Sequence, residues 1–167
     1  MKFFEEIAVR DRRHLGSHHF TAEEIKRFAA AYDPHPFHLD EAAGRDSHFG
    51  GLCASGWHTL AVWMQLNVRE VERQVRNLEI AGVPVASVGP SPGFDQLKWQ
   101  KPVFAVISYE SEIIGKKPSR SRPEWGLISM RNVGRNQAGE DVVSFIAHVF
   151  VERRDKSPPQ QADSIPG

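Results

Sequence analysis

The fold is decided by the segment at residues 57–64, which reads Trp-His-Thr-Leu-Ala-Val-Trp-Met. If this segment is helical, apolar side chains lie on nearly every face, so most of its surface must be buried. We predict a helix over residues 55–73, whose second half becomes charged and emerges into solvent. Such a helix requires other parts of the chain to cover it.

The second half of the chain has the pattern of β-strands. Strands are predicted at residues 83–88, 103–114, 125–133 and 141–153, and Leu97 and Trp99 alternate with polar residues in a further short strand. Residues 136–139, which read Asn-Gln-Ala-Gly, are typical of a hairpin turn. Three long strands at hairpin spacing indicate an antiparallel sheet. One apolar helix with such a sheet favours the α+β class, with the sheet wrapped around the helix.

A second helix is predicted before the apolar one. It begins after Thr21, which has Glu24 three residues later, in the spacing of a capping box. It ends at Asp33, because Pro34 disfavours a helical conformation for the residue before it. A short helical turn is expected over residues 40–43.

Asp33 and His38 lie five residues apart on backbone that is stiffened by Pro34 and Pro36. A carboxylate and an imidazole held together can share one water and move its protons. Alternatively, Asp33 ends a helix and His38 is a hydrogen-bonded polar residue of the core. We favour the acid–base pair, because glycines and the start of the apolar helix follow closely in the chain.

The start of the apolar helix is a candidate site for a carbonyl oxygen. Gly50, Gly51 and Gly56 precede or open this helix, and they can serve simply as loop and close-packing residues. The amides of Ser55, Gly56 and Trp57 can also point at a substrate carbonyl, as helix N-termini do. The two roles are compatible.

Composition excludes several classes of function. The 167 residues suffice for one domain, and the 21 basic and 21 acidic residues cancel, which gives no case for nucleic-acid or membrane-surface binding. The N-terminus lacks the apolar region of a signal peptide, so a cytoplasmic location is expected. The single cysteine excludes an intrachain disulfide. We predict one domain over residues 1–154 and a disordered, proline-rich tail over residues 155–167.

Histidines and acids near the acid–base pair could be read as a metal site, but we predict no metal. Pro36 interrupts the helical spacing that a His-x-x-His chelate needs, and the set matches no tight ligand spacing. The residues concerned are Asp33, His35, His38, Asp40 and His48.

Two further clusters are open to a structural or a functional reading. Cys53 and His58 could form a nucleophile and its base, but no third orienting group is apparent, so a buried structural cysteine is favoured. Basic residues surround Pro118, either as a solvated loop or as a contact for a phosphate. They are Lys116, Lys117, Arg120 and Arg122.

The segment over residues 20–63 resembles the MaoC-like dehydratase family, which includes the (R)-specific enoyl-CoA hydratases. The motif of that family reads D-x-N-P-x-H, then F-G-G, then a small residue and H-G or S-G at the start of a buried helix. Asp33, Pro36 and His38 match the first part, and residues 49–51 and 54–56 match the rest. The later strands extend the resemblance over roughly residues 5–154. One position departs from the motif, since His35 replaces its Asn.

The resemblance implies a hot-dog fold, in which a curved antiparallel sheet wraps a long central helix. It also implies a homodimer or a dimer of dimers, an acyl-CoA substrate, and the reversible addition of water to a 2-enoyl-CoA. No cofactor beyond the coenzyme A of the substrate is expected. The alternatives are a hot-dog acyl-CoA thioesterase and a non-catalytic acyl-binding protein.

The resemblance also assigns roles to individual residues. Asp33 and His38 become the catalytic pair, and Gly56 or a neighbour becomes the amide that polarises the thioester carbonyl. The other expected substrate-binding residues are Gly51, Ser55, Trp57 and His35, and Arg120 and Arg122 are candidates for a coenzyme A phosphate contact.

Overall fold

A computed structural model describes residues 1–157, which contain one five-stranded antiparallel sheet. The strand order across this sheet is β1-β3-β4-β5-β2, so β1 and β2 form its edges. The strands are β1 (Arg12–His19), β2 (Gly93–Trp99), β3 (Val106–Pro118), β4 (Trp125–Arg135) and β5 (Asp141–Glu152).

The α-helices of the described chain are α1 (Ala22–Tyr32), α2 (Pro36–Leu39), α3 (Glu41–Asp46) and α4 (Gly56–Ile80). A 3₁₀ helix, Phe4–Glu6, precedes β1.

Helix α4 packs on one face of the sheet, which buries roughly every second residue of β4. Two buried hydrogen bonds fix the helix there. The Tyr109 hydroxyl of β3 donates to the Thr59 carbonyl at 2.7 Å, and the Trp63 indole donates to Asn132 Oδ1 of β4 at 3.0 Å. The predicted α+β class, with a long apolar helix against an antiparallel sheet, is confirmed.

The predicted helices are present, with differences at their ends. Thr21 caps α1 by accepting the Glu24 amide at 3.1 Å, but the Glu24 carboxylate binds His18 instead of closing the capping box. Helix α4 continues to Ile80 instead of ending at residue 73, and Gly82 follows with a φ of 67°. A positive φ at a glycine just beyond a helix is a common way to end it.

Three local predictions were wrong or incomplete. Residues 83–88 do not form a strand, and only Val88 makes an isolated bridge to Val151 of β5. Strand β1 was not anticipated, because this half-exposed edge strand has a mostly polar sequence without the apolar alternation that predicts a strand. The one-turn helix α2 was also not anticipated; it begins at Pro36, since the first helical position needs no amide donor, and it leaves His35 outside the helix as predicted.

The predicted tail falls mostly beyond the described chain. Residues 158–167 lie outside the described residues, and residues 155–157 follow β5 without regular structure.

Gly134 provides a test of the packing between adjacent strands. A Cβ atom at this position would lie 2.7 Å from Tyr109 Cε1 and 2.7 Å from Val143 Cγ1. We expect Gly134→Ala to lower the free energy of unfolding by about 1–3 kcal/mol, measured by urea denaturation. Gly115→Ala is the control, because a Cβ there meets no atom within 4 Å. Equal effects of the two substitutions would contradict this account of the packing.

Candidate active site

The Asp33 carboxylate lies where α1 ends. Asp33 is the C-cap residue, its amide donates to the Ala29 carbonyl at 2.9 Å, and Pro34 then turns the chain away. Its side chain reaches the start of α4, where the Ser55 hydroxyl donates to Oδ2 at 2.6 Å. The carboxylate is therefore tied to two helices at once.

His38 reaches the same point from α2. Its ring is 7% exposed, and its Nδ1 lies 2.7 Å from the Cys53 carbonyl oxygen. A carbonyl oxygen can only accept, so the Nδ1 atom must carry the hydrogen. In the neutral ring the lone pair is then on Nε2, which faces Asp33 Oδ2 at 3.5 Å.

Several groups hold Asp33 in its ionised form. Burial raises the pKa of Asp33, but the hydrogen bonds from Ser55 and His35 and the charge of His38 outweigh it, so the net pKa is lowered. The carboxylate therefore presents a negative oxygen, Oδ2, toward Nε2 of His38.

The first turn of α4 forms another wall of the site. Ser55 is the N-cap and accepts the Trp57 amide at 3.2 Å, which leaves the Gly56 amide at the open end of the helix. A Cβ atom on Gly56 would lie 2.6 Å from the Trp99 indole, so a side chain there would displace Trp99. Glycine lets the helix start and the indole lie in contact.

These groups surround one cavity of about 360 Å³. Asp33, His38, Gly56 and Trp57 line it on the helical side. The opposite wall comes from the end of β2, the segment that follows it and the start of β5, and it includes Trp99, Pro102, Val103, Val142 and Val143. The cavity combines a largely apolar lining with a few polar groups, among them the Asp33 carboxylate and the His38 imidazole, which is typical of a small-molecule site.

Comparison with known protein families identifies the chain. Residues 5–106 match the model of the MaoC like domain, which is more than half of the sequence. This chain belongs to the MaoC-like dehydratase family. The family expected from the motif is thereby confirmed.

Two curated proteins are similar to the chain over different shares of its length. The chain is 40% identical over 139 residues to the uncharacterized protein YdeM of Bacillus subtilis, covering 80% of this chain and 86% of YdeM. It is 37% identical over 76 residues to mesaconyl-CoA hydratase of Cereibacter sphaeroides, covering 44% of this chain. That match spans only 22% of the hydratase's length.

Solved structures share the fold. A MaoC-like dehydratase from Rhodospirillum rubrum superposes with a TM-score of 0.75 at 38% identity, covering 93% of this chain and 99% of that one. The (R)-hydratase PhaJ1 of Pseudomonas aeruginosa superposes with a TM-score of 0.61 at 20% identity, covering 98% and 96% of the two chains. The expected hot-dog fold is confirmed.

The structure brings most of the predicted site residues of this MaoC-like protein together. Asp33, His38, Gly56 and Trp57 line the cavity, and Ser55 supports it from beneath. Two residues lie beside the cavity instead. Gly51 packs against the Phe104 ring, and His35 is a largely exposed residue that contacts Asp33 from the solvent side.

Arg120 and Arg122 lie far from the cavity of their own chain. They belong to the loop between β3 and β4, where Trp125 pairs with Glu152 at the end of β5. The cavity lies at the opposite end of β5, beside Val143, which is roughly 30 Å away at the usual rise of a strand. The Lys116 ammonium is hydrogen-bonded to the N-terminal segment, because it donates to the carbonyls of residues 4, 5 and 7.

Sequence reasoning missed the partners that orient Asp33 and His38 and that close the cavity. The Cys53 carbonyl fixes His38, but a backbone carbonyl leaves no signal in a sequence. Trp99, Val142 and Val143 line the cavity because β2 pairs with β5, with Trp99 opposite Val143. Only Trp99 was conspicuous beforehand, as an aromatic residue in an alternating segment.

His58 lies outside the cavity lining, in a second cluster behind the start of α4. It is buried, its ring stacks on Phe28 with centroids 4.2 Å apart, and its Nε2 lies 3.5 Å from Glu24 Oε1. Burial lowers the pKa of His58 despite the nearby Glu24 carboxylate. His58 therefore packs α1 against α4.

Residues 1–157 lack two further kinds of feature. No helix there is both long and apolar enough to cross a lipid bilayer. Nor does any group of three or more His, Cys, Asp or Glu side chains there have an arrangement that could hold a metal ion.

The lowered pKa of Asp33 predicts a pH-dependent contribution to stability. Because folding lowers this pKa, the ionised side chain stabilises the fold above the unfolded value and ceases to do so as pH falls through the folded value. The free-energy difference between wild type and Asp33→Asn should therefore shrink below about pH 4. Urea unfolding at a series of pH values measures it. Asp46→Asn, at an exposed position, is the reference substitution, and a difference that persists at acidic pH would contradict the prediction.

Cys53 should be chemically inert in the folded protein. Its side chain is 1% exposed, and burial, together with the Asp33 charge, raises the pKa of the thiol to about 11. We expect iodoacetamide at pH 8 to leave the native protein unmodified and to alkylate the denatured protein, as measured by mass spectrometry. Rapid labelling of the native protein would instead revive the reading of Cys53 as a nucleophile.

Proposed function

We propose that this protein is a hydro-lyase that reversibly adds water across the double bond of a 2-enoyl-CoA thioester. The observation that carries the proposal is the state of His38. Its Nδ1 donates to the Cys53 carbonyl, so in the neutral ring Nε2 presents a lone pair 3.5 Å from the Asp33 carboxylate, inside a mainly apolar cavity. Membership of the MaoC-like family and the partial match to mesaconyl-CoA hydratase support this chemistry.

In the hydration direction, His38 Nε2 accepts a proton from water as the water oxygen bonds to the β-carbon. Asp33 Oδ2 accepts the second hydrogen of the same water, which orients it and stabilises the imidazolium that forms. The electron pair of the double bond moves onto the thioester carbonyl oxygen. The imidazolium then returns its proton to the α-carbon, so that one OH and one H are added and the enzyme is regenerated.

The enolate oxygen formed in this step needs a hydrogen-bond donor. The Gly56 amide, at the positive end of the 25-residue helix α4, is the proposed donor, since such preorganised groups stabilise developing negative charge. Because one imidazole removes and returns the proton on one side of the substrate, syn addition is expected. The proposal assigns no cofactor, and coenzyme A enters as part of the substrate.

A homodimer is part of the proposal. Strand β2 is an edge of the sheet, and Phe94 and Trp99 of this strand are 48% and 44% exposed. An exposed edge with large apolar side chains favours pairing with a second copy. Since Arg120 and Arg122 lie at the far end of their own sheet, these two residues could contact a coenzyme A phosphate only in the cavity of the partner subunit.

The reaction is tested by following the ultraviolet absorbance of crotonyl-CoA and mesaconyl-CoA, with release of free thiol measured in parallel. We expect loss of the enoyl absorbance without thiol release. Asp33→Asn and His38→Gln should each lower kcat by about 10²- to 10⁴-fold, the usual contribution of a general acid or base. His19→Gln and Asp46→Asn, at exposed positions away from the cavity, are the matched controls.

The outcomes separate the candidate functions. Thiol release from butyryl-CoA would identify a thioesterase, because a saturated acyl chain has no double bond to hydrate. Near-wild-type hydration by folded Asp33→Asn would remove Asp33 from the chemistry and overturn the mechanism.

A further inference from the structure

The two oxygens of the Asp33 carboxylate have different surroundings. Oδ2 faces the protein interior, with the Ser55 hydroxyl at 2.6 Å and His38 Nε2 at 3.5 Å. Oδ1 faces outward and lies 2.5 Å from Nδ1 of His35. The mechanism above uses only the inner oxygen, so the contact on the outer oxygen has no role in it.

Both the backbone and the ring of His35 are held in place. It stands between Pro34 and Pro36, it is the N-cap residue of α2, and its amide donates to the Asp33 carbonyl at 2.8 Å. Its ring stacks on Phe37, with centroids 5.2 Å apart and an interplanar angle of 12°. The short contact with Asp33 therefore rests on a fixed backbone and a packed ring.

The exposed fraction of the side chain falls from His35 to Asp33 to His38. His35 is 64% exposed, Asp33 is 16% exposed and His38 is 7% exposed. Of the three side chains, that of His35 is thus directly accessible to solvent, while those of Asp33 and His38 are largely buried. An imidazole changes charge between roughly pH 5 and 8, so this position can pass a change in solvent pH to the carboxylate.

We propose that His35 is a positioning residue for the hydration reaction, holding Asp33 Oδ1 so that Oδ2 faces the cavity, and setting the basicity of Asp33 through its own charge. The proposal rests on the function proposed above. When His35 is protonated, its positive charge draws electron density to the outer oxygen, and the inner oxygen accepts a hydrogen from water less strongly. Loss of that proton makes Asp33 a better acceptor.

Several titratable groups surround Asp33. His35 and His38 face it from α2, and Cys53 lies before α4 with its thiol protonated. Ser55, from the start of α4, does not titrate. The acid limb of the pH profile of kcat should therefore depend on two imidazoles, since His38 must also be neutral to act as a base.

Two substitutions separate the positioning role of His35 from the electrostatic effect of its charge. Asn can donate a hydrogen bond to Oδ1 but cannot titrate, whereas Ala can do neither. We expect His35→Ala to lower kcat on the order of tenfold with little change in KM, as for loss of a hydrogen bond to a charged group. His35→Asn should recover most of kcat at pH 8 and show one ionisation fewer in the acid limb. His19→Asn, an exposed histidine outside the site, should leave the profile unchanged.

A second measurement does not depend on turnover. In substrate-free protein, the ¹³C chemical shift of the Asp33 carboxyl carbon should respond to the ionisation of His35 as well as to that of His38. His35→Asn should remove one of these inflections. If wild type hydrates none of the thioesters but the inflection is present and is lost in His35→Asn, the proposed function fails and the coupling stands. An Asp33 carbon that titrates identically in both proteins, or a His35→Ala variant with wild-type kcat and pH profile, overturns the proposal.

Discussion

The site depends on the hydroxyl group of Ser55, which makes two hydrogen bonds at once. Its oxygen accepts the Trp57 amide and so caps α4, and its hydrogen is donated to the Asp33 carboxylate. Ser55 is 1% exposed, so neither bond competes freely with water. The start of the long helix and the end of α1 are thereby held together, although 22 residues separate Ser55 from Asp33. The placement of the carboxylate against the cavity follows from this link.

His38, the other member of the proposed catalytic pair, is oriented by backbone atoms. The Cys53 carbonyl selects one tautomer of His38, and the prolines on either side of His35 fix the turn from which the imidazole projects. Such constraints leave little freedom to the reacting groups, which is what acid–base catalysis needs. They also place a second imidazole, that of His35, on the solvent side of the same carboxylate, so that the pair is linked to the surface of the protein.

The sheet contributes to the site by locating α4. The hydroxyl of Tyr109 and the indole of Trp63 are buried groups whose hydrogen bonds are satisfied only in one position of the helix. In that position the first amides of α4 open onto the cavity, and the pairing of β2 with β5 brings Trp99 and Val143 to its opposite wall. The sheet thus contributes apolar lining to the cavity, while Asp33 and His38 come from the helical segments.

The sequence by itself determined the α+β class, the family, the long apolar helix and the pair Asp33 and His38, because these depend on local periodicity, proline and glycine placement, and a compact motif. It did not reveal β1, whose polar residues lie on an edge strand, and it suggested a strand at residues 83–88, where only Val88 forms a bridge. Only the tertiary structure decided that the Cys53 carbonyl orients His38, that His35 contacts Asp33 from the solvent side, and that Arg120 and Arg122 lie at the far end of the sheet. The physical reason is that such contacts join residues that are distant in the chain, or involve backbone atoms that every residue shares.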